Sequence, residues 1–192
     1  PGVLLRFVTG RYHRPRRERR IFMFVDIEGS TELSKSLSLE HYYGLVNDFF
    51  RDVAGPVRES QGEIYEYVGD EVVITWDYDV GIRDANCVRA FFDIERVVWK
   101  RSPQYLNRYG AVPAFKAGLH EGEVITAEMG GLKKVIAFNG EVLNVTSRIQ
   151  GECNRLGRRF LASRQLVDQV RLPGEVNPTE LGRVDLRGAG AA

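Results

Sequence analysis

Cysteine is scarce in this chain of 192 residues, which carries only Cys87 and Cys153. The two form no C-x-x-C pair and have no metal-ligand spacing, which excludes a thiolate metal site. Both read as reduced thiols in the core of a cytosolic domain. Long apolar runs are missing as well. None approaches the ~20 residues that a membrane-spanning helix needs, and no signal-peptide pattern opens the chain. Internal repeats are absent, and the only low-complexity stretch is the small-residue tail Gly188–Ala192. What remains is one domain with a sizeable core. A hydrophobic content of 43% and a charged content of 28% are ordinary for such a domain.

Net charge is almost absent too, at +1, but it is unevenly spread. Residues 1–20 hold seven arginines (6, 11, 14, 16, 17, 19 and 20) against Glu18, so this segment is +6 and the remainder −5. A mildly acidic body argues against a nucleic-acid groove. The basic segment has two readings: a solvated tail, or a juxtamembrane segment on the cytoplasmic side of an N-terminal membrane anchor. The chain opens on Pro1, and an upstream region is expected. Residues 1–20 are read as a connector arm and 21–192 as one domain.

Apolar periodicity places the elements. Residues 20–27 form a buried strand through Ile21-Phe22-Met23-Phe24-Val25. The stretch Glu28-Gly29-Ser30-Thr31 is a turn. Residues 39–60 have helical spacing, with Ser38 as N-cap. Strands follow at 63–68 and 71–76 around Gly69-Asp70, then a helix over 82–101. Residues 104–113 read as a polar connection. Strands are expected at 115–120, 123–128 and 133–138, and a helix over 141–156 stopped by Gly157. Short strands at 160–162 and 180–186 flank a helix near 163–171. The order predicts an α+β fold with a ferredoxin-like βαββαβ core and a C-terminal elaboration.

Two aspartates stand out in this pattern. Asp26 closes the first strand and Asp70 sits in the turn entering the third, each beside an apolar run. Buried carboxylates are costly unless paired or metal-bound. In a ferredoxin-like sheet the first and third strands are neighbours, so the pair can meet. Together they suit Mg²⁺ or Mn²⁺, which prefer oxygen ligands and substrate phosphates. The turn Glu28–Thr31 offers backbone N–H groups to a triphosphate. On the helix 141–156, Asn144 and Arg148 are four residues apart and share a face. An amide and a guanidinium there can hold a polyhydroxyl group and a phosphate. A merely solvated helix face is the alternative.

These motifs, in this order, resemble the class III nucleotidyl cyclase catalytic domain over residues 20–187. Phe24-Val25-Asp26-Ile27 is similar to that family's first metal motif, and Gly69-Asp70 to its second. Asn139-Gly140-Glu141-Val142-Leu143-Asn144-Val145-Thr146-Ser147-Arg148 resembles its G-x-x-V-N-x-A-x-R helix, with Thr146 where alanine is usual. Gly118-Leu119-His120-Glu121-Gly122 resembles the strand-turn before its hairpin arm. The resemblance implies the class III cyclase fold and a head-to-tail homodimer with composite active sites. One subunit would supply Asp26, Asp70 and the Ile27 carbonyl to two divalent ions, Mg²⁺ or Mn²⁺. The other would supply Asn144 to the ribose and Arg148 to the α-phosphate. Arg187 resembles a late basic residue that reaches the terminal phosphates. The implied reaction makes a 3′,5′-cyclic monophosphate and pyrophosphate from a nucleoside triphosphate, ATP being favoured.

Family spacing places Glu66 and Ala137 at the positions that choose the base. A carboxylate only accepts hydrogen bonds, so Glu66 suits the N–H donors of guanine, or an amino group of adenine or cytosine. Ala137 offers no hydrogen bond, which leaves selectivity loose. Glu66 as a plain surface strand residue is the bland alternative. Guanylate or pyrimidine cyclase activity, a diguanylate cyclase and a silent nucleotide-binding module are the competing functions. The resemblance also implies a cytoplasmic catalytic domain driven by an upstream sensor or membrane region.

Overall fold

The computed structural model describes residues 14–130, 135–184 and 186. Strand β1 (Arg16–Ile27) lies in the middle of an antiparallel sheet of order β2-β3-β1-β4-β5. The partners are β2 (Glu63–Val68), β3 (Glu71–Asp77), β4 (Phe115–Met129) and β5 (Val135–Asn139), and β6 (Phe160–Ala162) joins β4 in parallel. The 2-3-1-4 arrangement of the first four strands is the ferredoxin-like core expected from the element order.

Alternation along β1 builds two layers. Ile21, Met23, Val25 and Ile27 point into the main core, against Leu45, Phe49 and Val53 of helix α2 (Leu39–Glu59). Phe22 and Phe24 point to the other face, where they meet Val73, Val124 and Val142. The Ser38 hydroxyl caps α2 by accepting from the His41 N–H at 3.3 Å, as its position predicts.

Several elements differ from the expectation. The turn after β1 continues into a short helix, α1 (Ser30–Ser36), behind Gly29 at φ 66°. The helix expected from residue 82 is broken: a short α3 (Tyr78–Ile82) and a 3₁₀ turn (Arg83–Ala85) precede α4 (Asn86–Lys100). Asp84 and Ala85 there have φ of 50° and 55°, so the continuous helix starts only at Asn86. The polar connection is helix α5 (Ser102–Tyr109). Its Tyr105 and Tyr109, four apart, are buried and donate to Asp52 and Asp48 of α2, each at 2.7 Å. The two strands expected around Gly122 are one continuous β4. Residues 180–184 and 186 are not in a strand, and the helix expected near 163–171 is only α7 (Arg164–Val167).

Strand β1 also begins earlier than residue 20. Arg17 and Arg19 pair across the ladder with Glu123 and Glu121, so the end of the basic segment is built into the sheet. Among the described residues no helix is long and apolar enough to cross a membrane.

Helix α6 (Glu141–Leu156) crosses the second face. Its buried residues are Val142, Thr146, Ile149, Gln150 and Cys153. The Thr146 hydroxyl, buried in this face, donates to the Val142 carbonyl. Close contact depends on glycine in β4, since a Cβ on Gly118 would lie 2.4 Å from the Gln150 backbone nitrogen.

Candidate active site

The second face of the sheet carries the site. Antiparallel register sets Asp26 opposite Glu71 of β3 on one side and opposite Lys116 of β4 on the other. Residues directly opposite share a face, so the three side chains converge. Asp70 joins them from the β2–β3 turn, where Gly69 takes φ 64°. Lys116 Nζ lies 3.3 Å from Asp26 Oδ2, and Gln150 Nε2 donates to the same oxygen at 3.1 Å.

The electrostatics follow from this convergence. Burial, followed by the neighbouring Asp70 charge, raises the Asp26 carboxyl above its usual range, while Lys116 opposes the shift. Burial with the charges of Asp26 and Asp70 pushes Glu71 up to about 7. Tyr42 of α2 is raised by burial and then by Asp70, and its hydroxyl is within reach of Ser30.

The residues fit a divalent cation. Asp26 and Asp70 are adjacent hard-oxygen donors, and Asp70 Oδ2 is buried with no hydrogen-bond partner. An unpartnered buried carboxylate oxygen calls for a cation. No group of three or more His, Cys, Asp or Glu side chains shaped for a metal occurs among the described residues. The two aspartates would therefore leave coordination positions to substrate oxygens, the habit of Mg²⁺. Ile27, expected to add its carbonyl, ends β1 opposite Phe115 with its side chain in the main core.

The expected phosphate turn is partly committed. The Glu28 N–H donates to the Ala114 carbonyl at 2.8 Å. Ser30 and Thr31 lie in the first turn of α1, behind left-handed Gly29, where helical N–H groups lack intrahelical partners. Arg187 lies outside the described residues.

Asn144 and Arg148 do not join this cluster. Asn144 is exposed and Arg148 partly so. At about 100° per residue, they sit roughly 120° and 160° around α6 from Gln150, which touches Asp26. Within one copy of the chain, Asn144 and Arg148 therefore stand on a different side of α6 from the carboxylate cluster.

The two base positions flank a bridge across the sheet. The Phe138 N–H donates to the Tyr65 hydroxyl at 3.4 Å, and their rings meet edge to face at 4.9 Å. Glu66 and Ala137 are the chain neighbours of these two residues. A β-bulge between Ile64 and Glu66 sets Glu66 opposite Val73, on the same face as Phe24 and Asp26. Glu66 is exposed there. Ala137 pairs with Ala127, so by alternation its methyl turns away from Phe138. Beneath the bridge Arg20 is fully buried, donating to Asp77 at 2.6 Å and lying 4.7 Å over the Phe138 ring.

Lys116, Gln150, Glu71 and Arg20 escaped the motif reading because their roles depend on register and on the seating of α6. Lys116 had one signal: a lone lysine in the apolar start of β4 has to find a carboxylate.

Comparison with known proteins agrees with the geometry. The family described as "Adenylate and Guanylate cyclase catalytic domain" matches residues 14–191. Adenylate cyclase 2 of Rhizobium meliloti (strain 1021) is 38% identical over 191 residues, covering 98% of this chain and 52% of that protein. The chain thus spans about half the length of that curated relative. A bacterial light-regulated adenylyl cyclase superposes with a TM-score of 0.75 at 22% identity, over 83% of this chain and 46% of that one. The guanylate cyclase domain of RhGC from Catenaria anguillulae, solved in complex with GTP, superposes at 0.60 with 18% identity, over 71% and 74%. At these identities the two structures speak for the fold alone.

Proposed function

The chain belongs to the adenylate and guanylate cyclase catalytic domain family, and on that premise we propose that it converts a nucleoside triphosphate, ATP foremost, to its 3′,5′-cyclic monophosphate and pyrophosphate. The ribose 3′-oxygen attacks the α-phosphorus, the bond to pyrophosphate breaks, and the hydroxyl proton is released. The observation that carries this reading is the buried, unpartnered Asp70 Oδ2 beside Asp26. Two divalent ions, Mg²⁺ or Mn²⁺, would be held by Asp26, Asp70 and the Ile27 carbonyl, and would supply a deprotonated nucleophile and charge neutralisation at the leaving group.

The chain's own residues do the rest. Asn144 orients the ribose, and Arg148 sets fixed donors where charge builds at the α-phosphate. Because both face away from Gln150 and the Asp26 cluster of their own chain, they serve the carboxylates of a second copy. A two-fold homodimer then holds two composite sites. Backbone N–H groups of Gly29, Ser30 and Thr31 receive the triphosphate, and Arg187 meets its terminal end. The arginine-rich segment 1–20 connects an upstream sensor or membrane region to the sheet, which it enters at Arg16.

A second reading of the base has its own support. The bulge turns exposed Glu66 onto the site face, where an acceptor-only carboxylate suits guanine. The purified domain incubated with ATP, GTP, CTP or UTP and Mn²⁺ separates the readings, with products identified by mass. Cyclic AMP is expected as the major product, and cyclic GMP would select the second reading. No cyclic nucleotide under any condition would refute the activity. Arg148→Ala is expected to lower turnover by about two to three powers of ten.

A further inference from the structure

We propose that Lys116 is the internal counter-charge of the carboxylate site, holding Asp26 in the absence of a cation and weakening the uptake of a divalent ion before nucleotide arrives. This rests on the cation site proposed above. Lys116 is only 9% exposed, and the β1–β4 register locks it opposite Asp26. Its ammonium lies between two partners, 3.3 Å from Asp26 Oδ2 and 3.3 Å from Asn154 Oδ1 on α6. Gln150 donates to the same Asp26 oxygen. Both donors thus converge on Oδ2.

The charges around this point are Asp26, Asp70 and Glu71 against one ammonium. A divalent ion at the two aspartates enters the field of Lys116. A unit positive charge roughly 5 Å away costs such an ion about ten-fold in affinity, even at the dielectric of water. A polyanionic nucleotide brings the compensating charge. The ammonium therefore favours cations that arrive with substrate over cations alone. Asn154 gives it a second anchor, so it can leave Asp26 without losing every partner. Lys116 is a positioning residue in this account, because it acts through Asp26.

The test is Mn²⁺ binding without nucleotide, followed by electron paramagnetic resonance on the whole chain. Lys116→Met is expected to tighten Mn²⁺ binding about ten-fold, and Lys116→Arg, which keeps the charge, to stay near wild type. Unchanged or weaker binding by a folded Lys116→Met variant overturns the proposal. Should that variant fail to fold, Asn154→Leu decides: it removes the exposed second anchor, leaves the ammonium on Asp26, and is expected to weaken Mn²⁺ binding. Unchanged or tighter binding there overturns the proposal too. Asp70→Asn distinguishes this inference from the reading beneath it. It is expected to abolish the signal, and wild-type binding that survives it would overturn the cation site and Lys116's role together.

Discussion

Tyr65 and Phe138 touch although their strands form opposite ends of the sheet path, β2-β3-β1-β4-β5. The sheet is therefore curled so far that its two edges meet over Phe22, whose ring lies 5.6 Å from Phe138. This closure gathers Glu66 and the end of β5 on the side of the sheet that carries Asp26.

Phe138→Ala removes a ring packed against Phe22, Tyr65 and Arg20, and is expected to cost about 3 kcal/mol of stability. Tyr65→Phe loses only the hydroxyl that accepts from the Phe138 N–H, and is expected to cost about 1 kcal/mol. Urea midpoints measure both. Equal losses for the two variants would contradict a ring-packed closure.

Arg20 braces the same closure from below. Its guanidinium donates to Thr75 and Asp77 of β3 while lying against Phe138 of β5. Arg20 is fully buried but Asp77 is partly exposed, so the loss in Arg20→Ala comes from ring packing and hydrogen bonds and is expected to be roughly 2–3 kcal/mol. Arg20→Met, which keeps apolar contact with the ring, is expected to cost less. An urea midpoint unchanged in Arg20→Ala would show that the brace carries no stability.

How much of this was legible in the sequence depends on the range of the interaction. Local signals gave α2 with its Ser38 cap, α6 with its Gly157 stop, and the strands carrying Asp26 and Asp70. The helix α5 was hidden because its buried face is two tyrosines whose hydroxyls need Asp48 and Asp52, some fifty to sixty residues away. The bulge at β2 was hidden because period-two alternation would place Glu66 with Ile64, on the α2 side. The partners of Asp26 followed from register and from Gly118 admitting α6, which no motif encodes. The family resemblance already implied that Asn144 and Arg148 act apart from the aspartates of their own chain, and the seating of Gln150 against Asp26 supports it.

Acid should loosen the join between β1 and the C-terminal elements. Glu121 is fully buried, and burial opposes its ionisation. Two hydrogen bonds from Arg19, at 2.7 and 2.8 Å, and others from Gln165 and Gln169 outweigh that and hold its carboxyl below the usual 4.5. A carboxyl lowered in the folded state stabilises above its unfolded value, and this contribution is lost as pH falls through the folded value. Glu121→Gln is therefore expected to cost roughly 1–3 kcal/mol at pH near 7, with the difference from wild type closing in acid. Urea unfolding across pH measures the gap, and a gap independent of pH would contradict the ion pair.

In the proposed function, the carboxylates and the Asn144–Arg148 pair act from two copies of the chain. Mixing inactive Asp70→Asn with inactive Arg148→Ala subunits tests it most directly, with cyclic nucleotide formation as the readout. A mixed dimer has one site with both defects and one site with neither, so about a quarter of wild-type activity is predicted to return for random two-fold pairing. A mixture as inactive as either variant alone would contradict the composite site.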